Sequence, residues 1–207
     1  MHPQTLYPKT KQVLNKLSDL SFLKGWYLAG GTGLALQLGH RKSIDLDFFT
    51  DKFPKRDLLL SDLKHLTPTI IQEAPGTMDL NVHNVKVSFL EYKYPILEKL
   101  VSFEKVKVAS ILDISCMKVS AVSSRGSKKD FIDLYFVLQK KTLDEIFTAF
   151  KKKFEGVEYQ KLHLLKSLVY FSDADNDPNP DYIENVNWEE VKDDLEEKVK
   201  EYFSKHI

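Results

Sequence analysis

The sequence predicts an α+β fold, a mixed sheet flanked by helices and followed by a helical C-terminal lobe. Three observations predict it. Short runs of β-branched, aromatic and aliphatic residues, punctuated by Gly, Pro and Asn, fill the first half of the chain. Apolar spacings of three and four residues dominate the second half. Hydrophobic residues make up 43% of the 207 positions, and only eight are Gly and eight Pro, which suits a chain with a real core and no low-complexity segment.

The elements follow in order. Pro8 suits the first position of a helix running to about Leu20, with Val13, Leu14 and Leu17 on one face. Trp26 to Ala29 reads as a short strand that Gly30 and Gly31 break. Thr32 to Leu38 reads as a helix with Gly39 just past its end. Ile44 to Phe49 is a strand and Lys55 to His65 a helix. Strands at 69–73, 78–82 and 85–91 follow, with Asn84 in the turn between the last two. After a short strand at 106–108, Asp113 is the expected N-cap of a helix over 114–123. Further helices are expected at 128–139, 143–154, 158–171 and 188–204, with a polar loop at 172–180. The division this suggests is an α/β lobe, residues 1–105, and a helical lobe, 106–207, that contributes to a shared cleft.

Composition narrows the setting. Thirty basic and thirty acidic residues cancel, which argues against bulk electrostatic capture of nucleic acid while leaving room for a local basic patch. The one cysteine, Cys116, lies in an apolar run and reads as a small buried hydrophobe in a reducing compartment. No run of about 18 apolar residues is present, so no membrane partner is expected. The start, Met1-His2-Pro3-Gln4-Thr5, lacks the basic and apolar pattern of a signal peptide. The expected location is the cytoplasm.

The most informative stretch runs from Leu28-Ala29-Gly30-Gly31-Thr32 to Arg41-Lys42-Ser43-Ile44-Asp45-Leu46-Asp47-Phe48-Phe49. Paired glycines between a strand and a helix let the backbone approach a ligand, and the helix start offers free N–H groups to phosphate. Thr32 could add a hydroxyl contact. An ordinary tight turn would explain the glycines taken alone. Asp45 and Asp47 change that balance. Residues i and i+2 of a strand share one face, so Leu46 and Phe48 turn to the core while two carboxylates converge. Like charges that close repel unless a cation lies between them, and Mg²⁺ favours carboxylate and phosphate oxygens.

Together these residues resemble the DNA polymerase β-like nucleotidyltransferase superfamily. The fuller string, with Arg41-x-Ser43-x-Asp45-x-Asp47-Phe48-Phe49, resembles its AbiEii/AbiGii toxin branch, which includes the MenT-type toxins. A second block strengthens the likeness: Lys118, then Arg125-x-x-x-Lys129-Asp130-x-x-Asp133-Leu134. Read alone, that block is a charged helix–turn–helix with surface ion pairs of little worth. In the family, a lysine at the place of Lys118 is implicated with the triphosphate, and an aspartate at the place of Asp133 in catalysis. The likeness covers roughly residues 25–138.

The resemblance implies an Mg²⁺-dependent enzyme that moves a nucleoside monophosphate from a nucleoside triphosphate (NTP) to an acceptor hydroxyl, with RNA or tRNA as acceptor. It also implies a toxin of a toxin–antitoxin or phage-defence system, with a cognate antitoxin as a further partner. Asp45 and Asp47 would hold the metal; Asp45, Asp47, Lys118 and Asp133 would be catalytic. Gly30, Gly31, Thr32, Arg41, Ser43 and Arg125 would bind the nucleotide. Asp133 would either position Lys118 or the acceptor, or act as a base.

One departure stands out. Where relatives often carry a third acid, this chain has Ser88, a poor magnesium ligand, and Glu91 falls on the opposite face of its strand. Either one metal suffices or activity has been lost. Two other readings therefore stay open: a degenerate nucleotide-binding protein acting through protein contacts, and a small-molecule nucleotidyltransferase. The scattered histidines show no metal spacing, although His40 lies near the site as a turn residue. Asp173-x-Asp175-x-Asp177 reads as a solvated loop, and Lys151-Lys152-Lys153 as a solvated helix face or an RNA contact.

Overall fold

A computed structural model describes residues 1–206. Seven strands form one sheet: β1 (Tyr27–Leu28), β2 (Leu46–Thr50), β3 (Thr69–Ala74), β4 (Thr77–Val82), β5 (Val85–Glu91), β6 (Val101–Phe103) and β7 (Val106–Val108). Their order is β3-β4-β5-β2-β1-β7-β6. The β2/β5 and β1/β7 pairs are parallel and the rest antiparallel, so the sheet is mixed, as predicted. Helix α1 (Pro8–Ser18), α2 (Gly30–Leu38) and α3 (Arg56–Leu63) interleave with the strands. Helices α4 (Ile111–Ser124), α5 (Lys128–Leu138), α6 (Leu143–Lys153), α7 (Lys161–Ser167) and α8 (Trp188–His206) follow them.

Alternation along β2 sorts its side chains onto two cores. Leu46 and Phe48 join Val13, Leu14, Leu17, Leu59, Leu63 and Phe89 on one face of the sheet. Phe48 and Phe89 stack with ring centres 5.7 Å apart. Phe49 faces the other way, into a cluster with Leu34, Leu38, Ile114, Val119, Phe131, Ile146 and Leu195. Asp47 lies between Leu46 and Phe48 in sequence and therefore shares the side of Phe49. Each fully buried aromatic or aliphatic side chain contributes about 1.5–3 kcal/mol, so α2 and the helices from α4 onward are bound to the face that carries Asp47, while α1 and α3 pack on the other.

Several local expectations shift. The cap of α4 is Ser110, whose hydroxyl accepts from the Asp113 N–H at 3.0 Å. Asp113 is instead a fully buried acceptor for the Leu97 and Glu98 amides and for Lys153 Nζ, 2.7 Å away. Lys153 also donates to the Pro95 carbonyl at 2.7 Å, so this member of the lysine run is buried, while Lys151 and Lys152 stay exposed. A buried ammonium needs such partners, and three like residues in sequence do not announce which one has them. Strand β6 was not foreseen: three residues carry no usable periodicity, and pairing with β7 defines it. Helix α7 is shorter than predicted at both ends: residues 158–160 form no regular structure, with Tyr159 packed edge-on against Phe150 at 5.0 Å, and the helix stops at Ser167 rather than 171. Gly39 closes α2 in the left-handed conformation, φ +82°, as expected. Burial pushes the Cys116 thiol up to about 12, in keeping with a small hydrophobe.

Candidate active site

The two glycines and the two aspartates meet. Gly30 has φ +62°, a region that penalises any side chain. A Cβ there would lie 2.7 Å from Asp47 Oδ2, and a Cβ on Gly31 would lie 2.4 Å from Arg41 Nη2. The space that glycine leaves is thus filled by the protein's own carboxylate and guanidinium. The backbone N–H groups that open α2 have no side-chain cap, which leaves donors at the helix start beside Asp47.

Strand β2 begins at Leu46, so Asp45 stands one residue before it and Asp47 within it. Both are partly exposed. Burial raises the Asp47 pKa and the charge on Asp45 raises it further; the Ser88 hydroxyl, Lys118 and Lys86 oppose this in that order. Ser88 pairs with Asp47 across β2/β5, and with Asp79 across β5/β4. The residue found in place of a third acid therefore stands directly beside the second one in the sheet.

Thr32 and Ser43 do not reach outward. Thr32 Oγ1 lies 2.7 Å from Ser43 Oγ, and its O–H donates to the Asp45 carbonyl. Both residues are buried. They tie the segment carrying Asp45 to the first turn of α2, so the direct phosphate contact expected of Thr32 is replaced by an internal bond.

Behind this front row sits a buried hub. Asp133 on α5 has no exposed surface. One oxygen accepts from His40 Nε2 and Arg41 Nε, each at 2.7 Å; the other accepts from Arg41 Nη2 at 2.9 Å. Lys118 Nζ lies 2.6 Å from that second oxygen and 2.6 Å from Asp130 Oδ1. Burial alone would raise the Asp133 pKa, but Arg41 and then Lys118 hold it well below the usual carboxylate range. Burial works to lower Lys118 and Arg41, and the facing aspartates outweigh it in both, so both stay charged. Ser127 completes the set with an O–H donated to Asp130 at 2.6 Å.

Nine of the ten residues singled out by sequence converge: Gly30, Gly31, Thr32, Arg41, Ser43, Asp45, Asp47, Lys118 and Asp133. Arg125 is the exception. It is exposed at the C-cap of α4 and takes no part in these hydrogen bonds and ion pairs. Sequence reasoning undervalued His40 and Asp130. His40 is buried, with its ring 4.9 Å from Phe136 and only Nε2 bonded; its place directly before Arg41 was the available signal. Glu91 lies away from the acids, paired with Lys93 at 3.2 Å.

The charge balance bears on metal binding. Arg41 and Lys118 face four carboxylates, and the cations are already engaged, Arg41 with Asp133 and Lys118 with both Asp130 and Asp133. Asp45 and Asp47 are left with a mutual repulsion that only weaker contacts offset. Two adjacent, partly exposed carboxylates suit one hard divalent cation completed by phosphate oxygens and water. Among the described residues no group of three His, Cys, Asp or Glu side chains is arranged to hold a metal without such help.

A mixed sheet whose central strand bears paired acids, beside a glycine-opened helix and backed by helices, defines a nucleotidyltransferase fold. The profile of the nucleotidyl transferase AbiEii toxin family, type IV toxin–antitoxin system, matches residues 12–97 and 83–205. The chain belongs to that family. It is 36% identical over 206 residues to the uncharacterized protein aq_aa25 of Aquifex aeolicus, spanning 95% of this chain and 97% of that one. In structure it is similar to JHP933 from Helicobacter pylori, with TM-score 0.60, 19% identity, and 99% of this chain and 94% of that one covered. MenT4, a nucleotidyltransferase toxin of Mycobacterium tuberculosis H37Rv, superposes with TM-score 0.59 at 12% identity, over 90% and 80% of the two chains. At these identities the two structures speak for the fold. No helix is long and apolar enough to cross a membrane among the described residues.

Proposed function

We propose that the chain is a toxin that transfers a nucleoside monophosphate from an NTP to a hydroxyl of RNA, most simply a tRNA end, in the cytoplasm, with a cognate antitoxin opposing it. The observation that carries this reading is the contact between Gly30 and Asp47. It sets a phosphate-binding helix start against a metal-binding carboxylate, the two parts that phosphoryl chemistry needs together.

The roles follow from the geometry. Amides at Gly30 and Gly31 receive the polyphosphate. Asp45 and Asp47 would hold Mg²⁺, which neutralises charge on the phosphate oxygens when bound. Lys118 and Arg41 add positive potential from behind. Thr32 and Ser43 fix the Asp45 backbone. Asp133 positions Arg41 and Lys118; with its charge held by three donors it is unsuited to be a base. The acceptor oxygen forms its bond to the α-phosphorus as the bond to the bridging oxygen breaks. Pyrophosphate leaves, and the hydroxyl proton passes to water. The helices that follow β7, from Ile111 onward and not from the boundary expected at residue 106, supply Lys118 and Asp133 to the cleft.

The test is incubation with each α-labelled NTP, Mg²⁺ and total cellular RNA. Label should enter RNA with the native chain and fall by at least a hundredfold with Asp47→Ala. Equal labelling by both proteins would remove the reading. Ser88 beside Asp47 favours one alternative, a nucleotide-binding protein without chemistry; Mg²⁺-dependent NTP binding with no pyrophosphate release would establish that instead.

A further inference from the structure

Beside Asp45, on the side away from the glycine turn, lies an open groove of about 520 Å³. Tyr7, Pro8, Ile44 and Val85 line it together with Asp45, Lys9 and Lys86, the last also paired with Asp79 at 2.9 Å. Ile44 is 58% exposed although it sits between buried Ser43 and the acids. Its backbone does not wander, since Thr10 Oγ1 donates to its carbonyl at 3.1 Å. Tyr7 is equally fixed: its hydroxyl donates to Asp181 at 2.6 Å, and Lys42 Nζ lies 5.0 Å from the ring centre. A held aromatic ring and an outward isoleucine, flanked by two lysines, form a platform for a flat base with a phosphate on either side.

The sheet order gives this groove a direction. Strand β2 lies between β1 and β5. The Gly30-Gly31 turn follows β1, and Lys86 stands at the start of β5, one residue before the Val87 that pairs with Leu46. The paired acids are therefore flanked by the phosphate-binding turn on one side and the groove on the other. In-line displacement requires the entering and leaving oxygens on opposite sides of the phosphorus. We infer that this groove seats the 3′-terminal nucleotide of the RNA acceptor, with the base against Tyr7 and Ile44 and the flanking phosphates at Lys9 and Lys86. The inference rests on the transfer reading for its direction, and on the groove's chemistry for its occupant. With Asp45 given to the metal and Asp79 offsetting Lys86, exposed Lys9 sets the balance, which favours an anionic strand over a polycationic small-molecule alcohol.

The experiment uses the full chain and a short single-stranded RNA ending in 3′-deoxy-4-thiouridine, which binds but accepts no nucleotide. With Mg²⁺ and a non-hydrolysable NTP present, irradiation should crosslink the terminal base to the peptides carrying Tyr7 or Ile44. Ile44→Ser and Lys9→Glu should each weaken RNA binding about tenfold and leave NTP affinity unchanged. A crosslink mapped elsewhere, RNA affinity unaltered in both variants, or no RNA binding by the native chain would each overturn the inference. The mapped crosslink in the native chain decides even where a variant folds poorly. If it falls in the groove while the native chain transfers nothing, the catalytic reading fails and the groove assignment stands.

Discussion

Asp133 grips Arg41 with both oxygens, at 2.7 Å from Nε and 2.9 Å from Nη2, across 92 residues of chain. That one pair joins the segment between the two front motifs to the helices behind them. Lys118 closes the joint from α4 at 2.6 Å. A carboxylate buried among three donors is stable only while all remain, because each left alone is a charge or dipole without a partner.

Asp133→Asn is therefore expected to lower stability by about 3–5 kcal/mol, the cost of breaking a buried pair from one side. Denaturant titration would measure it. The acid limb should change too. The folded pKa of Asp133 is depressed, so its contribution is present above the unfolded value of about 3.9 and is lost as pH falls toward the folded value. The variant should show a flatter loss of stability below about pH 4. An unaltered midpoint and acid limb would refute the hub.

Gly30→Ala should destabilise by about 1–2 kcal/mol from the left-handed backbone alone, and should also push Asp47 aside. Transfer should fall far more than stability does. Gly31→Ala should act through Arg41. Gly25→Ala is the control, since a Cβ there meets nothing within 4 Å. Matched thermal melts and transfer assays on the three variants separate strain from lost chemistry; full activity in Gly30→Ala would contradict the contact.

Asp47→Asn should make the protein more stable near neutral pH while abolishing transfer. The sign follows from its raised pKa. A carboxyl that binds its proton more tightly when folded contributes stability below the unfolded pKa, and loses it as pH rises through the folded one. Removing the charge removes that penalty and the repulsion from Asp45. Mg²⁺ should raise the melting temperature of the native chain and have little effect on the variant. Calorimetry with and without the ion checks both; a variant less stable than the native chain at pH 7 would show the repulsion to be misjudged.

Thr32→Val keeps the shape and deletes the hydroxyl, leaving Ser43 and the Asp45 carbonyl without it. A loss of about 1–3 kcal/mol is expected, with weaker Mg²⁺ binding because Asp45 loosens. Thr32→Ser should restore both. Rescue of neither would point to a direct ligand contact instead.

What the sequence determined by itself was local. Two acids at i and i+2 share a face whatever surrounds them, and a glycine pair between a strand and a helix start marks a close approach of backbone. Mixed sheet first and helices after was equally legible, because periods of two and of three to four are properties of short segments. Tertiary structure decided which partners those residues keep. Thr32 bonds Ser43 rather than facing outward, Lys153 and not its neighbours is buried, Ser110 caps α4, and His40 meets Asp133 across 93 positions. A side chain's spacing fixes the direction in which it leaves the backbone. The burial and charge that give it a role come from whichever distant segment packs there, and no local pattern records that.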